Sequence, residues 1–226
     1  LSETGATPVV QSKWFATVVV ESPDSTVAEQ LQQLAIVDSV KWIWKGNLRV
    51  PAEEKREDRF VSEDEPLHNE YGYSYKQIKM LNGTKLHEAG FRGEGMRVAV
   101  IDAGFMNADR VSAFDSLRLL GTHNVVFPGK SVFVGDDHGT KVLSCLAADI
   151  PGVMVGTAPK ASYLLLKSED SDSEYPVEED YWTAAVEYAD SAGVDVISSS
   201  LGYFAFDTDE LSYDQDALDG RTAMIS

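Results

Sequence analysis

The chain has 226 residues, 43% apolar and 25% charged, which suffices for one full core plus a small accessory unit. Its 19 basic and 37 acidic side chains give a formal charge of −18, which excludes a nucleic-acid or anionic-membrane surface because phosphate contact needs clustered Lys and Arg. One cysteine, Cys145, excludes an internal disulfide, and no apolar run approaches the ~20 residues of a transmembrane segment.

The chain opens without Met or a signal-type apolar region and so reads as starting after processing or at an artificial boundary. Trp14–Ser22 ("WFATVVVES") predicts a strand, Ser25–Ala35 a short helix capped by Ser or Thr, and Ser39–Gly46 a second strand. This β-α-β unit within residues 1–50 is too small to be stable alone and should dock on something larger. Pro51–Pro66 is charged, Pro-bounded and aperiodic, so 51–70 reads as a linker.

From residue 71 the texture changes. "MRVAVIDAGF" (Met96–Phe105) is a near-continuous β-branched run, as expected of a strand buried on both faces of a parallel sheet. "KASYLLLKSED" (Lys160–Asp170) and "GVDVISSSLGY" (Gly193–Tyr203) repeat it, and Asp180–Gly193 between them is an amphipathic helix closed by glycine. This alternation predicts an α/β fold with a doubly wound parallel sheet over 71–226. In such sheets chemistry gathers at the carboxyl ends of strands, where Asp102 and Ser200-Leu201-Gly202 fall.

A carboxylate ending a buried strand calls for a partner. "GDDHGTKVLSCLAAD" (Gly135–Asp149) supplies one in His138, which opens a helix anchored by Val142, Leu143 and Leu146. The helix dipole disfavours a cationic imidazole there, and a nearby carboxylate favours it, which together hold a histidine able to cycle its proton. The plain alternatives are a turn cap for Asp102 and a structural, hydrogen-bonded role for His138.

The order Asp then His is that of the subtilisin type of catalytic triad. "YGYSYKQIKMLNGTKLHEAGFRGEGMRVAVIDAGF" (Tyr71–Phe105), "DDHGTKVLSCLA", "VGTAPKASYLLLK" (Val155–Lys167) and "VDVISSSLG" (Val194–Gly202) occur in order over about 130 residues. Jointly they resemble the subtilisin-like (subtilase, S8-type) serine peptidases. The resemblance implies that Asp102 orients His138, that His138 is the general base, and that the backbone of Ser200, Leu201 and Gly202 lines the pocket for the residue before the scissile bond. It implies a protein or peptide substrate paired with a strand edge, and a secreted, periplasmic or cell-surface location. Ala16–Gly46 is similar to the second half of a subtilase pro-region, which chaperones folding and covers the active site, so the chain's own N-terminal module is an expected partner.

The family's Gly-Thr-Ser-x-Ala segment and its oxyanion Asn are not in these 226 residues. "LDGRTAMIS" (Leu218–Ser226) reads as the start of the helix before the oxyanion-hole strand, so the expected sequence is the N-terminal part of a longer enzyme, inactive alone. A peptide-binding module or pseudopeptidase that never had the serine is the alternative reading. A half domain also exposes a sheet edge, for which the C-terminal remainder, a second copy or the N-terminal unit is the expected cover.

Among other residues, His68, His87 and His123 read as surface or packing residues, His123 in a loop. Cys145 shares a helical face with His138 and reads as a buried apolar thiol. No Cys or His pair has zinc spacing, so no metal site is assigned. Calcium is the one candidate cofactor, although the loop Asp149–Pro159 lacks the family's Asn ligand. A nucleotide site at Phe91–Met96 is excluded because its glycines precede the strand. The acidic run Ser168–Asp180 reads as a solvated loop or as a source of preference for basic substrate residues.

Overall fold

A computed structural model describes residues 4–44, 69–217 and 219–220. In chain order the elements are β1 (Thr7–Ser12), β2 (Thr17–Glu21), α1 (Val27–Gln32), α2 (Tyr75–Met80), α3 (Gly83–Glu88), β3 (Arg97–Asp102), β4 (Arg118–Asn124), α4 (His138–Ala147), β5 (Asp149–Ile150), β6 (Met154–Val155), β7 (Ser162–Lys167), α5 (Val177–Ser191) and β8 (Val196–Ser199).

The three apolar runs become neighbours. The main sheet has the order β4-β7-β3-β8, with every pair parallel, and Asp102 lies beside Lys167 in the register of β3 and β7. Strand alternation sends Val98, Val100, Tyr163 and Leu165 to one face, against Leu143 and Ala147 of α4. Ala99, Ile101, Leu164 and Leu166 go to the other, against Tyr181, Ala185 and Ala189 of α5. Burial on both faces explains why these strands read as unbroken apolar runs. The fold is therefore α/β with a doubly wound parallel sheet, and its carboxyl ends bring Asp102, Lys167 and Ser199 to one edge.

Two elements differ from their expected form. α5 starts at Val177, not Asp180, and takes Glu178, Glu179 and Asp180 into its first turn. These acids are buried, so this end of the acidic run is no solvated loop. β4 was not foreseen: Leu119 and Leu120 are exposed, Gly121 interrupts the run, and a register shift separates Leu119 from Gly121. His123 accordingly lies in a strand, stacked 4.6 Å from Tyr188, rather than in a loop.

Among the described residues the N-terminal unit is a β-hairpin followed by a helix, not β-α-β. β1 and β2 pair antiparallel, and Ser39–Trp44 forms no strand. A strand needs a ladder partner, and β2 takes β1; Trp44 instead meets Tyr175 edge-on at 6.3 Å. Pro8, which cannot donate to a ladder, sits at the register shift that hides β1 in the sequence. Residues 51–68 of the expected linker lie outside the described residues, as does the expected helix start after Ala217, apart from Asp219 and Gly220.

The hairpin docks on α5. Ser12 Oγ and Trp14 N donate to Glu187 Oε1 at 2.5 and 3.0 Å, and Lys13 N donates to Oε2 at 3.1 Å. Val196 and Ile197 of the edge strand β8 stay exposed. Glu187→Ala is expected to release the hairpin, so that amides of Thr7–Glu21 exchange faster while those of Arg97–Asp102 keep their protection. Unchanged exchange in both segments would place the hold in the apolar contacts of Val9, Val10 and Val19.

Candidate active site

Asp102 ends β3 with no exposed surface. Its Oδ1 accepts from the Ala103 N–H at 2.8 Å and pairs with His138 Nδ1 at 2.8 Å, while Oδ2 has no hydrogen-bond partner among the described residues. Burial pushes the carboxyl upward, and the hydrogen bonds from His138 and Ala103 oppose that push. Across the pair, the hydrogen bond and charge of Asp102 raise His138 above the ordinary 6.5. The ring side chain is half exposed, so Nδ1 faces the carboxylate while the imidazole stays open to solvent.

Local sequence dictates this approach. The His138 N–H donates to Asp136 Oδ1 at 2.7 Å, and Thr140 Oγ1 donates to the Met106 carbonyl at 2.9 Å, which fastens the first turn of α4 to the loop after β3. Gly139 is the closest point. A Cβ there would lie 2.5 Å from the Gly104 oxygen and 2.9 Å from the Asp102 Cβ. Gly139→Ala is expected to cost ~1–3 kcal/mol by overpacking and to push His138 away from Asp102. Thermal unfolding checks it; an unchanged Tm would contradict the packing argument.

His138 borders a cleft of ≈ 370 Å³ lined also by Asp136, Glu169, Glu174, Ser200, Leu201 and Gly202. The structure thus brings His138, with the buried Asp102 behind it, and Ser200-Leu201-Gly202 to one opening. Among the described residues, none that lines the cleft comes from the N-terminal unit. Glu169, pushed up to about 7 by burial and then by Glu174, was missed individually, although it lies in the acidic run. Glu178, behind it, is pushed up to about 9 by burial.

The remaining candidates fall elsewhere. Ser199 Oγ accepts from Trp182 Nε1 at 2.8 Å, and among the described residues no serine hydroxyl bonds to His138. His87 is buried, with Nε2 2.9 Å from the Thr157 carbonyl and Nδ1 3.2 Å from the Tyr71 hydroxyl, which assigns the proton to Nε2 and a packing role to the ring. Cys145 is exposed, not buried. It shares the face of His138, and that face is the open one. Among the described residues no cluster of His, Cys, Asp or Glu could hold a metal ion, and no helix is long and apolar enough to cross a membrane.

No protein-family model matches the chain. Over 147 residues it is 32% identical to subtilisin E of Bacillus subtilis strain 168, covering 63% of this chain and 36% of that protein. Over 133 residues it is 31% identical to the major intracellular serine protease of the same strain, covering 55% and 40%. The thermostable alkaline protease of Halalkalibacterium halodurans is 25% identical over 191 residues, 81% of this chain and 48% of that one. Among solved structures, the MycP3 protease from the type VII (ESX-3) secretion system superposes with a TM-score of 0.45 at 24% identity, covering 58% of this chain and 37% of that one. The chain spans less than half the length of these curated relatives.

Proposed function

We propose, from the premise that this chain is subtilisin-like in sequence, that it carries the acid and the base of a serine endopeptidase: Asp102 orients His138, and His138 takes the proton from a serine hydroxyl. The observation that carries the reading is the 2.8 Å contact between a buried carboxylate and a half-exposed imidazole at the mouth of a cleft. A base must be fixed on one nitrogen and free on the other, and this ring meets both conditions. The nucleophile is not among Ser198, Ser199 and Ser200, which end the strand at the substrate side of the cleft. We place it in a segment beyond these 226 residues, so the chain alone should not hydrolyse peptides. In the mechanism proposed, the backbone of Ser200, Leu201 and Gly202 lines the pocket for the residue before the scissile bond while His138 passes the serine proton to the leaving amine.

The substrate is a protein or peptide, met outside the cytoplasm in the secreted, periplasmic or surface setting the family resemblance implies. Asp136, Glu169 and Glu174 around the cleft favour Lys or Arg near the scissile bond through their negative potential. Because Glu169 sits at about 7, that preference should strengthen as pH rises through neutrality. A peptide-library profile of the complete enzyme that shows no basic preference would refute it.

The test of the function is a fluorophosphonate serine probe applied to the protein as its source makes it, read with intact mass. A labelled species that contains these residues, or a labelled fragment that co-purifies with them, supports the peptidase. No label in any such species would make the pair that of a peptide-binding pseudopeptidase.

A further inference from the structure

Lys167 ends β7 beside Asp102 of β3, yet it is only 3% exposed. A lysine is almost never buried so fully without a charge partner or a task. The Nζ of Lys167 donates to the carbonyl of Ala103, the residue whose N–H binds Asp102 Oδ1. The backbone is held on both sides: Ser168 N donates to the Asp102 carbonyl at 3.1 Å on the β3 side, and Val125 N to the Lys167 carbonyl at 3.0 Å on the β4 side.

We propose that Lys167 is a positioning residue for the Asp102–His138 pair, its ammonium clamping the Ala103 peptide and holding a fixed positive charge among the carboxylates behind the cleft. The carboxylates that face it are Asp136 before α4, Glu169 and Asp170 after β7, and Glu178 of α5. Burial is the largest influence and lowers Lys167 from the ordinary lysine value; Asp170, Asp136 and Glu169 oppose it, while Glu178, itself pushed up to about 9, adds negative charge only above that pH. His138 is faced by Asp102, Asp136 and Glu169, so two acids are shared between the cation and the imidazole. Without the cation, the buried acids would act on His138 unopposed and hold its proton to higher pH. Lys167 touches no substrate; it acts through Asp102 and the peptide that follows it.

The inference rests on the reading of Asp102 and His138 as a working pair, but its test needs no serine and no activity, so the two can fail separately. The ring of His138 is titrated by NMR in the chain with Lys167 intact, in Lys167→Met and in Lys167→Arg. The expected result is an upward shift of the His138 midpoint in Lys167→Met, with Lys167→Arg restoring it toward the parent value. A midpoint unchanged in Lys167→Met, which keeps the bulk and removes the charge, would overturn the proposal. Should Lys167→Met fail to fold, the parent chain decides it through labelled lysine carbons. Lys167 charged throughout the His138 titration, with its Cε resonance registering that titration, supports the clamp. Lys167 neutral across that range overturns it.

Discussion

His138→Ala, in a polypeptide that also carries the nucleophilic serine, is expected to lower peptide turnover by about 10⁶-fold, a size measured on subtilisin itself. With the ring removed, no other described side chain paired with Asp102 can take a serine proton, and a neutral serine is a poor nucleophile. What survives is the catalysis that binding and oxyanion donors provide alone. Turnover of a chromogenic peptide by parent and variant measures it, and a loss below tenfold would remove His138 from the mechanism.

Asp102→Asn is the second large effect, about 10⁴-fold in turnover with the fold retained. Asp102 Oδ1 accepts two hydrogen bonds, from Ala103 N and His138 Nδ1. An amide can keep the first through its oxygen. Turning its NH₂ to the ring would place the proton on Nε2, the nitrogen that must accept from serine. The substitution also removes the charge that raises His138, so the midpoint of its titration should fall toward 6.5. In the parent, the base form of His138 appears only as pH rises through a value above 6.5, so the acid limb of the rate profile lies above that of a free histidine. The same sign governs stability. The pairing with protonated His138 is fully present below 6.5 and is lost as pH rises through the raised value. A turnover loss below about tenfold in Asp102→Asn, or an acid limb that does not move, would contradict this role.

Asp102, His138 and Ser200-Leu201-Gly202 were legible because each sits in a short motif whose meaning is local: a strand end, a helix start, a strand exit. The parallel sheet was legible for a related reason, since burial on both faces leaves unbroken apolar runs such as Val98–Ile101. The N-terminal unit was not, because strand pairing is a choice between distant partners. Thr7–Ser12, with its proline and polar ends, outcompetes Ser39–Trp44 for β2, and nothing in either segment announces it. Cys145 was placed on the right face of α4, but whether that face is covered depends on what lies opposite, which periodicity cannot state. Glu178 lies in the acidic run and Lys167 closes an apolar one; only the fold shows both buried, with Lys167 beside Asp102. Gly139 is similar, its need for a missing Cβ set by Gly104 and Asp102 from another element.

The most direct test of the account is the ring-proton spectrum of His138 in the chain and in Asp102→Asn. The account predicts a strongly downfield Nδ1 proton and a midpoint above 6.5 in the parent, both lost in the variant. A parent ring with no downfield proton and an unshifted midpoint would show that Asp102 and His138 are not paired, and the proposed mechanism would fall with the pair.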